Sequence, residues 1–144
     1  IESDNAPLGE IVESLFAANI DVHTMRDITR GGLATVLKEL AKTSNTTIEI
    51  EKKKLPVTPQ VKDFCGLLGL DPLYMGNEGK LVALVPAEQA DAAVAAIRSA
   101  KYGQDACVVG YVNDKAPGKL HLRTRIGGLR NLEILQGEGL PRIC

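Results

Sequence analysis

Tryptophan is absent from the 144 residues, and two phenylalanines and three tyrosines bring aromatic content to only 3 %. The core must therefore be aliphatic, and the 44 % hydrophobic content is that of an ordinary globular chain rather than a disordered one. Cysteine is scarce too. Cys65, Cys107 and Cys144 are an odd number without close spacing, which makes neither a disulfide framework nor a zinc site and suits a reducing cytoplasm. Net charge is nearly lacking at −1, so binding to nucleic acid or membrane through bulk charge is excluded. No apolar run is long enough to cross a bilayer, and no signal peptide stands out. His23 and His121 have no cysteine or carboxylate partner at metal-ligand spacing, so neither is assigned a role. The length is one domain's worth, sufficient for a real core. Because the chain begins at Ile1 rather than methionine, it reads as a piece of something longer.

What is present alternates between two periods. Leu8, Ile11, Val12, Leu15 and Phe16 fall at helical spacing behind Pro7, a residue suited to a first turn. Asn19 to Asp27 reads as a link. Leu33, Val36, Leu37, Leu40 and Ala41 then repeat the helical stripe. Thr46 to Glu51 alternates as a half-buried strand, and Lys52, Lys53 and Lys54 read as a solvated strand end. Thr58-Pro59 opens a third helix with the stripe Val61, Phe64, Cys65 and Leu68, stopped at Gly69, which makes Cys65 a core residue. A Met75–Gly79 loop leads into Leu81–Val85, a continuous apolar run expected to be a central strand. Ala90, Ala93, Val94 and Ile97 mark a fourth helix. Ala106 to Val112 is expected to be a buried strand containing Cys107, Lys119 to Arg123 an edge strand with His121 toward water, and Leu129 to Leu135 one more strand. Helices and strands interleave without a strict βαβ rhythm. The expected fold is an α/β (α+β) two-layer sandwich, a mixed and mostly antiparallel sheet with helices on one face, over residues 1–136.

Three stretches could carry chemistry. Asp27-Ile28-Thr29-Arg30-Gly31-Gly32-Leu33 opens the second helix, where unpaired N–H groups and the helix dipole favour anions. Gly31 and Gly32 allow a phosphate to approach closely and Arg30 can neutralise it. The alternative is a plain capping motif, with Thr29 as N-cap and the glycines serving close packing. Glu78, between Asn77 and Gly79, is placed as either a general base at the mouth of a sheet or a solvated turn residue. Finally, residues 137–144 end the chain on Gly137-Glu138-Gly139-Leu140-Pro141-Arg142-Ile143-Cys144. This is either a frayed terminus or an arm of about 25 Å carrying a thiol at its tip. A prenylation box is excluded, because the cysteine is last rather than fourth from the end. Charge is uneven as well: residues 1–27 sum to −5 and residues 119–144 to +3, so the ends can attract each other or select different partners.

Met25-Arg26-Asp27-Ile28-Thr29-Arg30-Gly31-Gly32-Leu33, Gly76-Asn77-Glu78-Gly79-Lys80 and Pro141-Arg142-Ile143-Cys144 together resemble the HypE family of hydrogenase maturation proteins. The Thr-Arg-Gly-Gly-Leu stretch is similar to that of the wider aminoimidazole-ribonucleotide-synthetase-like (PurM-like) superfamily in its second domain. The terminal Pro-Arg-Ile-Cys is more specific to HypE. The resemblance runs over the whole chain, and only to the C-terminal half of the family. It implies an ATP-dependent carbamoyl dehydratase in which the carbamoyltransferase HypF loads Cys144 and the arm carries the thiocarboxamide to an ATP site. Dehydration, with Glu78 as base, leaves a thiocyanate whose cyano group passes to iron on the HypC–HypD complex. It further implies ATP or phosphate contacts at Thr29, Arg30, Gly31, Gly32 and Asn77, and a homodimer and Mg2+ held mostly by a first domain not present here. Arg142, two residues before the thiol, favours thiolate while the terminal carboxylate opposes it. Competing implications are another PurM-like ATP enzyme, such as selenophosphate synthetase or thiamine-phosphate kinase, and a non-catalytic docking module. Neither enzyme calls for a terminal cysteine.

Overall fold

The computed structural model describes residues 5–134. Cys144, the arm 137–144 and the end of the expected last strand lie outside the described residues. Those residues form two compact units, one of 5–29 with 77–108 and the other of 30–76 with 109–134.

In the first unit, helix α1 (Gly9–Ala17) packs on α4 (Ala90–Ser99). Leu15, Ile20 and Ala93 are buried at the centre, flanked by Val22, Met25, Val85 and Ile97. The α1 stripe is as expected at Ile11 and Leu15, whereas Phe16 is exposed and Pro7 stands one residue before the N-cap, Leu8. Strand β1 (Thr24–Ile28) occupies what the sequence suggested was a link. Its Arg26 and Asp27 are exposed, which erased the alternation that identifies a strand. It pairs antiparallel with β3 (Asn77–Leu84) in a two-stranded sheet. Leu81–Leu84 are therefore half-buried rather than central, since β1 is their one sheet neighbour among the described residues.

The second unit holds a four-stranded sheet in the order β4-β2-β5-β6, from β2 (Thr47–Glu51), β4 (Gly110–Asn113), β5 (Leu120–Arg123) and β6 (Leu129–Leu132). The β2–β5 pair is parallel and the other two are antiparallel, so the sheet is mixed as expected. Helix α2 (Gly32–Ser44) packs against β2 and β5, burying Leu37 and Ala41 opposite Ile48, Ile50, Leu120 and Leu122. At about 1.5–3 kcal/mol for each fully buried aliphatic side chain, this face dominates the unit's stability.

Four expectations fail here for identifiable reasons. β2 is interior, not half-buried, because strands flank it on both sides; even Glu49 is 3 % exposed. That carboxylate is matched by Arg123, whose Nη2 lies 2.6 Å from Oε1. Burial pushes the Glu49 carboxyl up, but hydrogen bonds from Tyr111 and Arg123 and the charges of Arg123 and Lys115 more than offset it, leaving it below the usual range. β5 is likewise interior rather than an edge, covered by β6 on one side and β2 on the other. Cys107 precedes β4 and is only partly buried, because the strand starts at Gly110. Helix α3 (Pro59–Leu68) forms where expected but buries Cys65 alone, leaving Val61, Phe64 and Leu68 exposed.

Candidate functional site

Both described stretches singled out for chemistry belong to elements with unusual backbone. In the second unit, α2 opens on two consecutive left-handed residues, its N-cap Gly31 at φ 68° and its first residue Gly32 at φ 69°. Gly31 is the N-cap, and no side chain caps the helix. Thr29 is therefore not the N-cap, as one sequence reading had it. The αL turn starts the helix two residues later, and its first N–H groups receive no side-chain acceptor. The close-packing half of that reading does hold. A Cβ on Gly32 would lie 2.5 Å from the Leu73 carbonyl oxygen and 2.7 Å from that of Met75, while one on Gly31 would lie 2.6 Å from Thr35 Oγ1. The 3-10 turn Pro72–Tyr74 that presses on Gly32 is fixed by Asp71, whose Oδ1 accepts from Leu73 N at 3.0 Å. Its signature, Asp71-Pro72, is an N-cap and first-turn pair that could have been read from the sequence.

With Arg30 exposed at its head, this helix start combines N–H groups that no N-cap side chain meets, the positive end of a dipole and a guanidinium. Those are features a phosphate seat uses, and the exposed side is that of Gly31, because Gly32 is buried under the Leu73 and Met75 carbonyl oxygens.

In the first unit, β1 ends at Ile28, whose register partner is Asn77, so Thr29 and Asn77 lie at the same end of that sheet. The next pair inward is Asp27 with Leu81, which leaves residues 78–80 of β3 with no opposite residue on β1. Asn77 Oδ1 accepts from Gly79 N at 3.0 Å and holds the head of this bulge. Glu78 is thus in a strand bulge rather than on the expected loop, and it is exposed. Bulges recur beside active sites because they re-aim a side chain out of the pleat. An exposed carboxylate held this way can accept a proton from a bound molecule.

Thr29, Asn77 and Glu78 are thus grouped in one unit and Arg30, Gly31 and Gly32 in the other. Among the described residues no three His, Cys, Asp or Glu side chains gather as a metal set, and no step is routed through Mg2+. No helix among them is long and apolar enough to cross a membrane.

Residues 5–123 match the family described as AIR synthase related protein, C-terminal domain. The carbamoyl dehydratase HypE of Rhodobacter capsulatus is 47 % identical over 144 residues, and that of Cupriavidus necator is 45 % identical over the same length. All of this chain aligns in both cases, over 42 % and 41 % of the relatives. A crystal structure of the hydrogenase maturation protein HypE matches with a TM-score of 0.92 at 42 % identity, covering 99 % of this chain and 46 % of that one. HypE in complex with ATP matches equally well, covering 99 % and 44 %. A HypE–HypF complex matches with a TM-score of 0.88 at 38 % identity, covering 94 % and 44 %. The chain spans less than half the length of the curated relatives it matches. By this evidence the chain belongs to the AIR synthase related proteins through their C-terminal domain, and its relatives along its whole length include HypE carbamoyl dehydratases.

Proposed function

We propose that this chain is the domain of a carbamoyl dehydratase that seats phosphate and carries the acceptor thiol, with residues 1–136 as the domain and 137–144 as the arm. The observation that carries the reading is the start of α2, where two αL glycines leave the helix N–H groups without a side-chain cap beside Arg30. The HypE–ATP and HypE–HypF structures, both similar to this chain, support ATP as the phosphate source and HypF as the partner that loads Cys144. The further partners are a second copy through a preceding domain and the HypC–HypD complex. The compartment is the cytoplasm, where a terminal thiol stays reduced.

The chemistry balances as follows. HypF transfers a carbamoyl group to Cys144, giving S–C(=O)NH2. The carboxamide oxygen attacks the γ-phosphorus of ATP, the bond to ADP breaks, and the oxygen becomes part of a good leaving group. Glu78 accepts one N–H proton as the C–O bond breaks and phosphate departs, and the departing phosphate takes the second, leaving S–C≡N. Arg30 and the Gly31 and Gly32 backbone neutralise the transferring phosphate, Asn77 holds the bulge that presents Glu78, and Thr29 offers a hydroxyl at the end of β1. Dehydration of carbamoylated Cys144 by the complete protein, with and without ATP, tests the reading. Thiocyanate only with ATP is the expected result, and a carbamoyl group left unchanged by ATP overturns it.

A further inference from the structure

Two strand ends that lie far apart in sequence meet in the second unit. The β2–β5 pair is parallel, with Glu51 opposite Arg123, so both strands finish at the same edge of the sheet. Lys52, Lys53 and Lys54 follow β2 there, and Thr124-Arg125-Ile126-Gly127-Gly128 turns from β5 into β6. The turn is tight. Thr124 N donates to the Gly128 oxygen at 2.8 Å, Gly127 N donates to the Thr124 oxygen at 3.1 Å, and Gly127 holds φ at 89°. A cavity of about 110 Å³ lies here, lined by Glu51, Lys53, Arg123, Thr124, Arg125 and Gly127. One water needs about 10–15 Å³, so there is room for a tetrahedral oxyanion.

The charges at this cavity do not cancel. Lys53, Lys54, Arg123 and Arg125 stand against Glu49 and Glu51, leaving a net +2. Each carboxylate already has a partner. Arg123 Nε donates to Glu49 Oε1 at 2.7 Å, and Lys54 Nζ lies 2.7 Å from Glu51 Oε1. Glu51 opposes an anion at the wall, but Lys54 neutralises it. Lys53 is held more loosely, 3.6 Å from Glu51 Oε2 and 71 % exposed. Arg125 is exposed and has no ion pair or hydrogen bond among the described residues. The Glu49 pair fixes Arg123, whose Nη1 reaches the Gly127 oxygen at 3.4 Å, and a guanidinium with five N–H groups has donors left over. Thr124 Oγ1 is buried with no hydrogen-bond partner among the described residues, a cost that an acceptor would relieve.

We propose that this cavity binds a phosphoryl dianion, as free phosphate or as the end of a larger molecule, through Lys53, Arg123 and Arg125. A guanidinium fork matches two phosphoryl oxygens at once, and all three side chains are charge-assisted donors. A net +2 suits a group carrying about −1.5 to −2 at neutral pH better than it suits a singly charged carboxylate. The anion ties the end of β2 to the β5–β6 turn. None of these residues belongs to the start of α2, and the inference does not rest on the dehydratase reading.

The test is arginine modification by phenylglyoxal in the complete protein, followed peptide by peptide with mass spectrometry. Inorganic phosphate, glycerol phosphate, acetate or sodium chloride is added at matched ionic strength. Modification of Arg125 should slow saturably with phosphate, by about tenfold once phosphate exceeds its half-effective concentration about tenfold. Acetate and chloride should not slow it. Arg130, exposed on β6 and outside the cavity, is the internal control and should react alike in every tube. Lys53→Ala should raise the phosphate needed by about tenfold, the worth of one hydrogen bond to a charged group. Arg30→Ala should leave the protection of Arg125 unchanged. Protection by both phosphates assigns the cavity to phosphoryl ends, and protection by inorganic phosphate alone assigns it to the free ion. The inference is overturned if Arg125 is not protected, or if chloride protects it equally. Protection that Arg30→Ala abolishes, or that Lys53→Ala leaves intact, overturns it as well.

Discussion

Gly32→Ala should be among the most damaging single changes in the second unit, and the structure separates its two causes. Gly32 holds φ at 69°, where an alanine costs about 1–2 kcal/mol. The new Cβ would also stand 2.5 Å from the Leu73 oxygen, 2.7 Å from the Met75 oxygen and 2.7 Å from the Tyr74 carbonyl carbon. All three are main-chain atoms, so the 3-10 turn must move as a body, an overpacking cost of about 1–3 kcal/mol. The sum, about 2–5 kcal/mol, is a large share of a typical domain's stability. Gly69 supplies the control, since its φ is 68° and nothing lies within 4 Å of its added Cβ. Gly69→Ala should therefore show the backbone term alone. Gly31→Ala should fall between them, because its close contacts all belong to the Thr35 side chain, which can partly give way. Urea unfolding followed by circular dichroism measures all three as midpoint shifts at unchanged slope. The reasoning is refuted if Gly32→Ala costs no more than Gly69→Ala.

Glu78→Gln keeps size and hydrogen bonding, so carbamoylation should persist while dehydration falls about 10²–10⁴-fold. Thiocyanate at the unmodified rate would make Glu78 a bulge residue only. Glu49 is held below the usual carboxylate range, so its stabilisation is fully present above its unfolded pKa of about 4.3 and is lost as pH falls through the lower folded value. Acid unfolding of Arg123→Met should show a smaller loss across that window. Its stability at neutral pH should fall as well, because the buried Glu49 carboxylate loses its partner. Cys107, whose thiol burial pushes up, should alkylate slowly at neutral pH, and Cys107→Ala should leave carbamoylation intact.

Faces were legible in the sequence where edges were not. The stripes of α1 through α4 each predicted a helix that forms, because 3.6-residue periodicity is a local property. Whether β5 lies inside a sheet depends on β6 and β2 supplying partners, and Lys119-Leu120-His121-Leu122-Arg123 carries no record of that. Glu49 looked solvent-facing because its neutralising partner is 74 residues away in sequence. For the site, the Gly31-Gly32 pair pointed to the right helix start, but the two left-handed residues and the resulting lack of a Thr29 cap emerge only from the backbone. The bulge that lifts Glu78 from the ladder arises from the β1 register and likewise has no signature in residues 77–80.

Mass spectrometry of the peptide containing Cys144 is the most direct test of the central claim. The complete protein is incubated with its carbamoyltransferase and a carbamoyl donor, then divided between tubes with and without ATP. The expected result is a carbamoyl adduct on Cys144 in both tubes, converted by loss of one water to a thiocyanate only where ATP is present, with Cys65 and Cys107 unmodified. An unmodified Cys144, or an adduct confined to Cys65 or Cys107, would contradict the account.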